Sequence, residues 1–160
     1  MMVDQRILFV DDDANLLMAL RRQLRGKFDL QTAAGGQSAL KMFEENSFAV
    51  CVADMQMPNM NGLEFLEKVQ KISPDTVRIM LTGNADQATA VNAINKGRIF
   101  RFFSKPYEME DLENALHDAI RQHQLITAEK TLVQETLAGS VKVLNDIMAQ
   151  LNPAVFCRAM

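Results

Sequence analysis

The chain predicts an α/β protein: a doubly wound five-stranded parallel sheet with a C-terminal helical extension. Three observations predict it. Short apolar runs and helix-period stretches alternate five times along the chain, the pattern of β-α repeats. The stretch VCVADMQMPNMNG at its centre begins with Val50, Cys51, Val52 and Ala53, apolar without alternation. Such a run suits a strand buried on both faces, as parallel sheets require. It ends abruptly in Asp54, ahead of a loop carrying Pro58 and Gly62.

In order, Arg6 to Val10 form the first apolar run, which ends in Asp11, Asp12 and Asp13. Leu16, Leu17, Leu20 and Leu24 have helical period, with Asp13 or Asn15 as cap and Gly26 as stop. Residues 29–33 are a short strand, and Gly35 and Gly36 turn the chain into a helix with Ala39, Leu40 and Phe43 on its apolar side. The central strand spans residues 48–53. Leu63, Leu66, Val69 and Ile72 mark the next helix, with Pro74 beyond its end. A fourth strand over 77–81 runs into Thr82 and Gly83. Ala88, Val91 and Ile94 outline a helix closed by Gly97, and a fifth strand over 99–103 ends in Ser104, Lys105 and Pro106. Leu112, Leu116 and Ala119 begin the last helix.

Composition narrows the function. At 160 residues with 48% hydrophobic side chains, the chain holds one ordinary domain with a short appendage. A net charge of −3 gives no support to a nucleic-acid-binding surface. The basic group Arg21, Arg22, Arg25 and Lys27 sits at a helix end, where it complements the helix dipole rather than binding phosphate. Cys51, in the buried strand, and Cys157, near the C-terminus, do not suit a disulfide framework. No leader or bilayer-length apolar run is visible, so the expected location is cytoplasmic, with no membrane partner.

Right-handed crossovers place every strand's C-terminal end on one edge. That edge collects Asp11 and Asp12, Asp54, Thr82 and Lys105. Crowded carboxylates repel one another and partly protonate unless a cation joins them. With only hard oxygen ligands on offer, Mg²⁺ is the expected ion. A hydroxyl and an ammonium beside the acids suit the oxygens of a phosphoryl group. The ensemble reads as a site for making an aspartyl phosphate.

Residues 6–122 resemble the receiver domain of two-component response regulators. FVDDD, DMQMPNMNG, LTG and FFSKP fall in that family's order and places. The resemblance implies the flavodoxin-like receiver fold, with Asp54 as phosphoacceptor. It implies that Asp12 binds Mg²⁺ directly, that Asp11 assists through water, and that the backbone carbonyl of Gln56 is a further ligand. Thr82 would bond a phosphoryl oxygen, Lys105 would pair with the phosphoryl group, and the Lys105–Pro106 bond would be cis. Phe102 is the implied switch aromatic, so signalling would run from Asp54 through Thr82 to Phe102. Arg98 and the bulky run GRIFRFF depart from the family pattern and leave the output face open. The implied partner is a sensor histidine kinase or phosphotransfer protein. The implied enzymology is confined to the domain's own aspartyl phosphorylation and dephosphorylation.

Two alternative readings fit parts of this pattern. A phosphoester hydrolase with a DxD nucleophile pattern finds that spacing in Asp11 and Asp13, but leaves Asp54 and the MPNMNG loop unexplained. A pseudo-receiver that only binds partners does not need all five site residues. Taken singly, the acids would be a capping turn, Thr82 a turn hydroxyl, Lys105 a snorkelling lysine and Phe102 ordinary core.

The domain division is 1–122 receiver and 123–160 helical linker. Leu116, Ala119, His123, Ile126, Lys130, Val133, Leu137, Ser140, Leu144, Ile147 and Leu151 recur in steps of three and four. This imperfect heptad seam is a candidate coiled coil that makes the chain a homodimer, with Gly139 as a candidate break. Asn152 and Pro153 end the pattern. The segment TLAGSVKVLNDIMAQLNPAVFCRA resembles the linker leading into an HD-type phosphohydrolase output, which lies outside this chain.

Overall fold

The structure, a computed structural model, describes residues 5–83, 87–96 and 99–151, without the side chains of 134, 135 and 138–151. Five strands, β1 (Arg6–Val10), β2 (Asp29–Ala33), β3 (Val50–Asp54), β4 (Val77–Thr82) and β5 (Arg101–Ser104), form one sheet. Their order is β2-β1-β3-β4-β5 and every pairing is parallel. The helices are α1 (Ala14–Leu24), α2 (Gly36–Glu45), α3 (Gly62–Ile72), α4 (Gln87–Asn95) and α5 (Met109–Leu151). The doubly wound five-stranded sheet expected from the sequence is present.

The order decides where a site can form. The chain steps from β1 to β2 on one side, then crosses to β3 on the other. The strand order therefore reverses between β1 and β3, and open α/β sheets bind ligands outside the strand ends at such a switch point. Asp11 and Asp12 follow β1, and Asp54 closes β3. All five β3 residues are buried, as a strand covered on both faces must be.

One face of the sheet contributes Leu8, Val10, Cys51, Ala53 and Met80 to a core with Ala39 of α2, Leu66 and Val69 of α3, and Ala90 of α4. Strand alternation sends Ile7, Phe9, Val52 and Ile79 to the opposite face. They too are fully buried, as are Leu24 of α1 and Leu112 and Leu116 of α5.

Local chemistry sets the element ends. Asp13 is the cap of α1, accepting from the backbone N–H groups of Asn15 at 3.0 Å and Leu16 at 3.3 Å. Helix α1 closes at Leu24, one residue before a cap at Arg25, and Gly26 follows with φ +84°. A left-handed glycine in that place is the usual helix stop. The fifth strand begins at Arg101 rather than Ile99: Ile99 is buried core, but the ladder pairs Arg101 with Ile79. Apolar runs report burial, and the ladder reports hydrogen bonding, so the two need not share an end.

The chain divides into two compact units, 1–124 and 125–160. Helix α5 is continuous to Leu151, so Gly139 does not break it. A single interior glycine costs only about 1 kcal/mol relative to alanine. Arg98, Gly97 and Pro153 lie outside the described residues, as does Cys157. No described helix is long and apolar enough to cross a membrane.

Candidate metal and phosphoacceptor site

Three backbone bonds carry the sheet past its ladder and fix the site's floor. The N–H of Asp11 donates to Ala33 at 3.2 Å, that of Met55 to Leu81 at 2.8 Å, and that of Lys105 to Thr82 at 2.8 Å. The loop after Asp54 is held by its own backbone. Asn59 adopts φ 69°, and Gly62 donates to the Met55 carbonyl at 3.0 Å. A Cβ on Gly62 would lie 2.5 Å from the Asp54 carbonyl oxygen, so only glycine lets α3 start this close to the strand end. Asn61 then caps α3, accepting from the Glu64 N–H at 2.9 Å.

Asp11, Asp12 and Asp54 can each present a carboxylate oxygen within 4.8 Å of the others. Asp11 and Asp54 are buried, and Asp12 is exposed. One oxygen of Asp11 accepts from the N–H of Asp13 at 3.0 Å. Its other oxygen, Oδ2, is buried with no hydrogen-bond partner. Lys105 Nζ lies 3.1 Å from Asp54 Oδ1 and 4.0 Å from Asp11 Oδ2. The Lys105–Pro106 peptide is cis.

The electrostatics follow from burial. Desolvation pushes the Asp11 carboxyl up to about 6 from its ordinary 3.8. The N–H of Asp13 opposes this, the charge of Asp54 and a hydrogen bond with Asp12 add to it, and Lys105 relieves part of it. A single ammonium does not neutralise three acids. A buried carboxylate oxygen without a partner is costly unless a cation or water satisfies it. The donor set is all oxygen, which fits Mg²⁺ and not a softer metal.

The remaining expected residues are distributed unevenly. Thr82 is fully buried at the end of β4, with its hydroxyl 3.5 Å from the Phe103 carbonyl. Phe102 is half-buried against the apolar core. Gln56 is exposed in the loop after Asp54. Tyr107, which the sequence reading passed over, belongs to the same electrostatic neighbourhood. Burial raises its phenol above the ordinary value, and the charges of Asp11 and Asp54 raise it further. Its ring lies 6.3 Å from that of Phe103. The signal was its place two residues after Lys105, which alone does not say where a side chain points.

Residues 7–117 match the family described as the response regulator receiver domain. A solved structure described as adenylate cyclase from Rhodopirellula baltica is 41% identical with a TM-score of 0.81, covering 82% of this chain and 98% of that one. The signal receiver domain of an HD domain-containing protein from Pseudomonas fluorescens Pf-5 is 30% identical with a TM-score of 0.69, covering 76% and 98%. Among curated proteins, the hydrogenase transcriptional regulatory protein HoxA of Bradyrhizobium diazoefficiens is 28% identical across 88% of this chain and 29% of its own length. The chain thus spans under a third of that relative. With the parallel sheet, the acids at its switch point and a family match over most of the chain, the protein belongs to the response regulator receiver domains of two-component systems.

Proposed function

We propose that the chain accepts a phosphoryl group on Asp54 from a histidine kinase or phosphotransfer protein and passes the change to an output domain. The observation that carries this reading is the ion pair of 3.1 Å between Lys105 and Asp54, set beside the unsatisfied oxygen of Asp11. A carboxylate oxygen of Asp54 attacks phosphorus, the bond from phosphorus to the donor's imidazole nitrogen breaks, and the product is an acyl phosphate. Lys105 pairs with the incoming phosphoryl oxygens, and the Thr82 hydroxyl turns from the Phe103 carbonyl to a phosphoryl oxygen. Phe102 follows into the space that Thr82 leaves. Asp11, Asp12, Asp54 and the Gln56 carbonyl would hold Mg²⁺, which supplies charge neutralisation to both carboxylate and phosphoryl group.

Intact-mass measurement after acetyl phosphate treatment tests the assignment. One phosphoryl adduct is expected, dependent on Mg²⁺ and lost in Asp54→Ala. An adduct of undiminished yield in Asp54→Ala, or one indifferent to chelation, would overturn it.

The chain's own chemistry is confined to this modification, and it works in the cytoplasm, where sensor kinases present their phosphohistidine. Residues 1–122 act as the receiver and 123–160 as the linker. The C-terminal helix makes the chain a homodimer, a reading supported by the exposure of Leu132, Val133 and Leu137. An HD-type phosphohydrolase is one candidate output, supported by the resemblance of the segment from Thr136 to Ala159 to such linkers and by the similar receiver from an HD domain-containing protein. A nucleotide cyclase is the second, favoured by the 41% identity to the adenylate cyclase. Either output would keep DNA outside this chain's direct partners.

A further inference from the structure

The edge of the sheet away from the acids carries a feature that phosphoacceptance does not use. Between the C-terminal half of α1 and the start of β2 lies an open groove of about 590 Å³, a volume within the range of small-molecule sites. Its walls include Arg21, Arg22 and Arg25, with Met18, Phe28 and Leu30 as apolar surface. Met18 and Arg22 are four apart on α1, Arg21 adjoins them, and Arg25 is the cap just past the helix end, so all three arginines line the one groove. Phe28 also borders a second hollow of about 420 Å³, lined in part by Lys27 and His117.

The three arginines differ from the other cations nearby. Lys27 pairs with Glu113 at 2.9 Å, and Arg101 pairs with Asp118 at 3.1 Å. Arg21, Arg22 and Arg25 are exposed, and their side chains form no ion pair among the described residues. Asp29 is the one acid lining the groove, which leaves three positive charges against one negative. The partial negative charge at the C-terminus of α1, about half an elementary charge, offsets only a fraction of that surplus. Dipole complementation, expected from the sequence, accounts for part of this cluster and leaves the rest in mutual repulsion.

Guanidinium is the side chain suited to phosphate, because its planar fork gives two parallel N–H donors to two oxygens. An aromatic ring and two aliphatic side chains in the same groove offer a flat, apolar contact that inorganic phosphate cannot use. We propose that this groove binds a phosphate ester of nucleotide size, its phosphates on Arg21, Arg22 and Arg25 and its base against Phe28. The site is independent of the phosphoacceptor chemistry, and the acids at the other edge of the sheet repel the same ligand. An acidic peptide would satisfy the charge but leave the ring and apolar side chains beside the arginines unexplained, so the small ligand is favoured.

The test is a titration of the 160-residue chain, isotope-labelled, with ATP and separately with pyrophosphate, in chelator and without Mg²⁺. ATP is expected to shift the backbone amides of residues 25–30 and to saturate with Kd below about 1 mM. Pyrophosphate should bind the same amides about tenfold more weakly, since it does not use the ring. Arg21→Gln with Arg25→Gln should weaken ATP about tenfold, with the native fold and the beryllofluoride response retained. Asp29→Asn should tighten it by removing the one repulsive group, a gain that damage to the fold does not produce. Absence of saturable shifts up to about 5 mM ATP overturns the proposal. So does unchanged affinity in the double variant, equal binding of pyrophosphate, or a polyglutamate peptide that binds the same amides more tightly than ATP.

Discussion

The acid edge of the receiver and the exposed stretch of α5 after Gln124 break the same rule in opposite directions. At the acid edge, Asp11 and Asp54 are buried, although carboxylates are rarely buried unless paired. Along α5, Leu125, Leu132, Val133 and Leu137 are each more than half exposed, although leucine and valine prefer burial. Each mismatch names a complement: a cation and phosphoryl group for the first, an apolar surface for the second. The comparison also separates two kinds of specificity. Charged groups fixed by backbone bonds select by geometry, whereas aliphatic groups on one helix select by area.

The second mismatch carries the largest expected effect. Val133 and Leu137 lie on the heptad seam, and burying each contributes roughly 1.5–3 kcal/mol. Val133→Asp with Leu137→Asp should therefore raise the dimer dissociation constant by about 100-fold or more, measured by light scattering or sedimentation. Leu125 and Leu132 sit outside the seam but are as exposed as its members, which widens the apolar stripe beyond a two-position coiled coil. Leu132→Asp separates the two packings: a small effect means a narrow seam, and a loss equal to the double variant's means a broad face. A shortened chain ending at Gln122 that still dimerises would move the interface onto the receiver and dissolve the comparison.

At the acid edge, Asp12→Ala removes one of the three carboxylates that could hold the ion and should weaken Mg²⁺ by about 10–100-fold, followed by isothermal titration or by shifts of neighbouring amides. The prediction is sharp because Asp12 is the exposed member of the three. Its loss should leave the fold intact while emptying the cluster of its most accessible oxygen. A variant that keeps full Mg²⁺ affinity would assign the metal to Asp11 and Asp54 alone.

Much of this edge was legible in the chain itself, for a physical reason. Parallel topology sends every strand's C-terminal end to one place, so Asp11, Asp54, Thr82 and Lys105 could be gathered from strand ends alone. Other features depend on energies too small to leave a sequence signal. Asp13 and Asn15 were equal cap candidates, and only the bonds to Asn15 and Leu16 select Asp13. Gly139 looked like a helix break, but the surrounding residues carry the helix through it. Tyr107 was passed over because its direction depends on the chain path after Pro106, which no periodicity encodes. The groove beside Phe28 was equally hidden. Arg21, Arg22 and Arg25 were visible as a cluster, but not the hollow they line.

The raised Asp11 carboxyl gives the acid edge a pH signature. Its folded value of about 6 lies above the ordinary 3.8, so the native state holds the proton more tightly than the unfolded chain. Stability measured without metal should therefore fall as pH rises from about 4 to 6, with the full penalty above 6 and none below 4. The loss is of the order of 1–3 kcal/mol, and Asp11→Asn should flatten it. In the same window Mg²⁺ competes with the proton, so its affinity should drop as pH falls below about 6. Denaturant titrations at pH 4.5, 5.5 and 7 in chelator, beside the asparagine variant, read the slope. A slope of opposite sign would mean that Lys105 and the Asp13 N–H outweigh burial at Asp11.

The smallest effect asks where the acid cluster stops. Asp13 adjoins Asp11 and Asp12, and a hydrolase reading would pair it with Asp11. Its Oδ1 instead accepts two N–H groups of the first turn of α1, at 3.0 and 3.3 Å. The residue is exposed, so both bonds are partly replaceable by water. Asp13→Ala should then cost about 0.5–2 kcal/mol of stability, the usual loss for an N-cap. Mg²⁺ affinity and the yield of aspartyl phosphate should stay at their starting values. Asp13→Asn keeps an accepting oxygen and should recover most of the stability, which separates capping from charge. If Asp13→Ala lowers Mg²⁺ affinity as far as Asp12→Ala does, the metal-binding set is shifted by one residue. Asp13 would then be a member of the acid cluster rather than only the cap of the helix beside it.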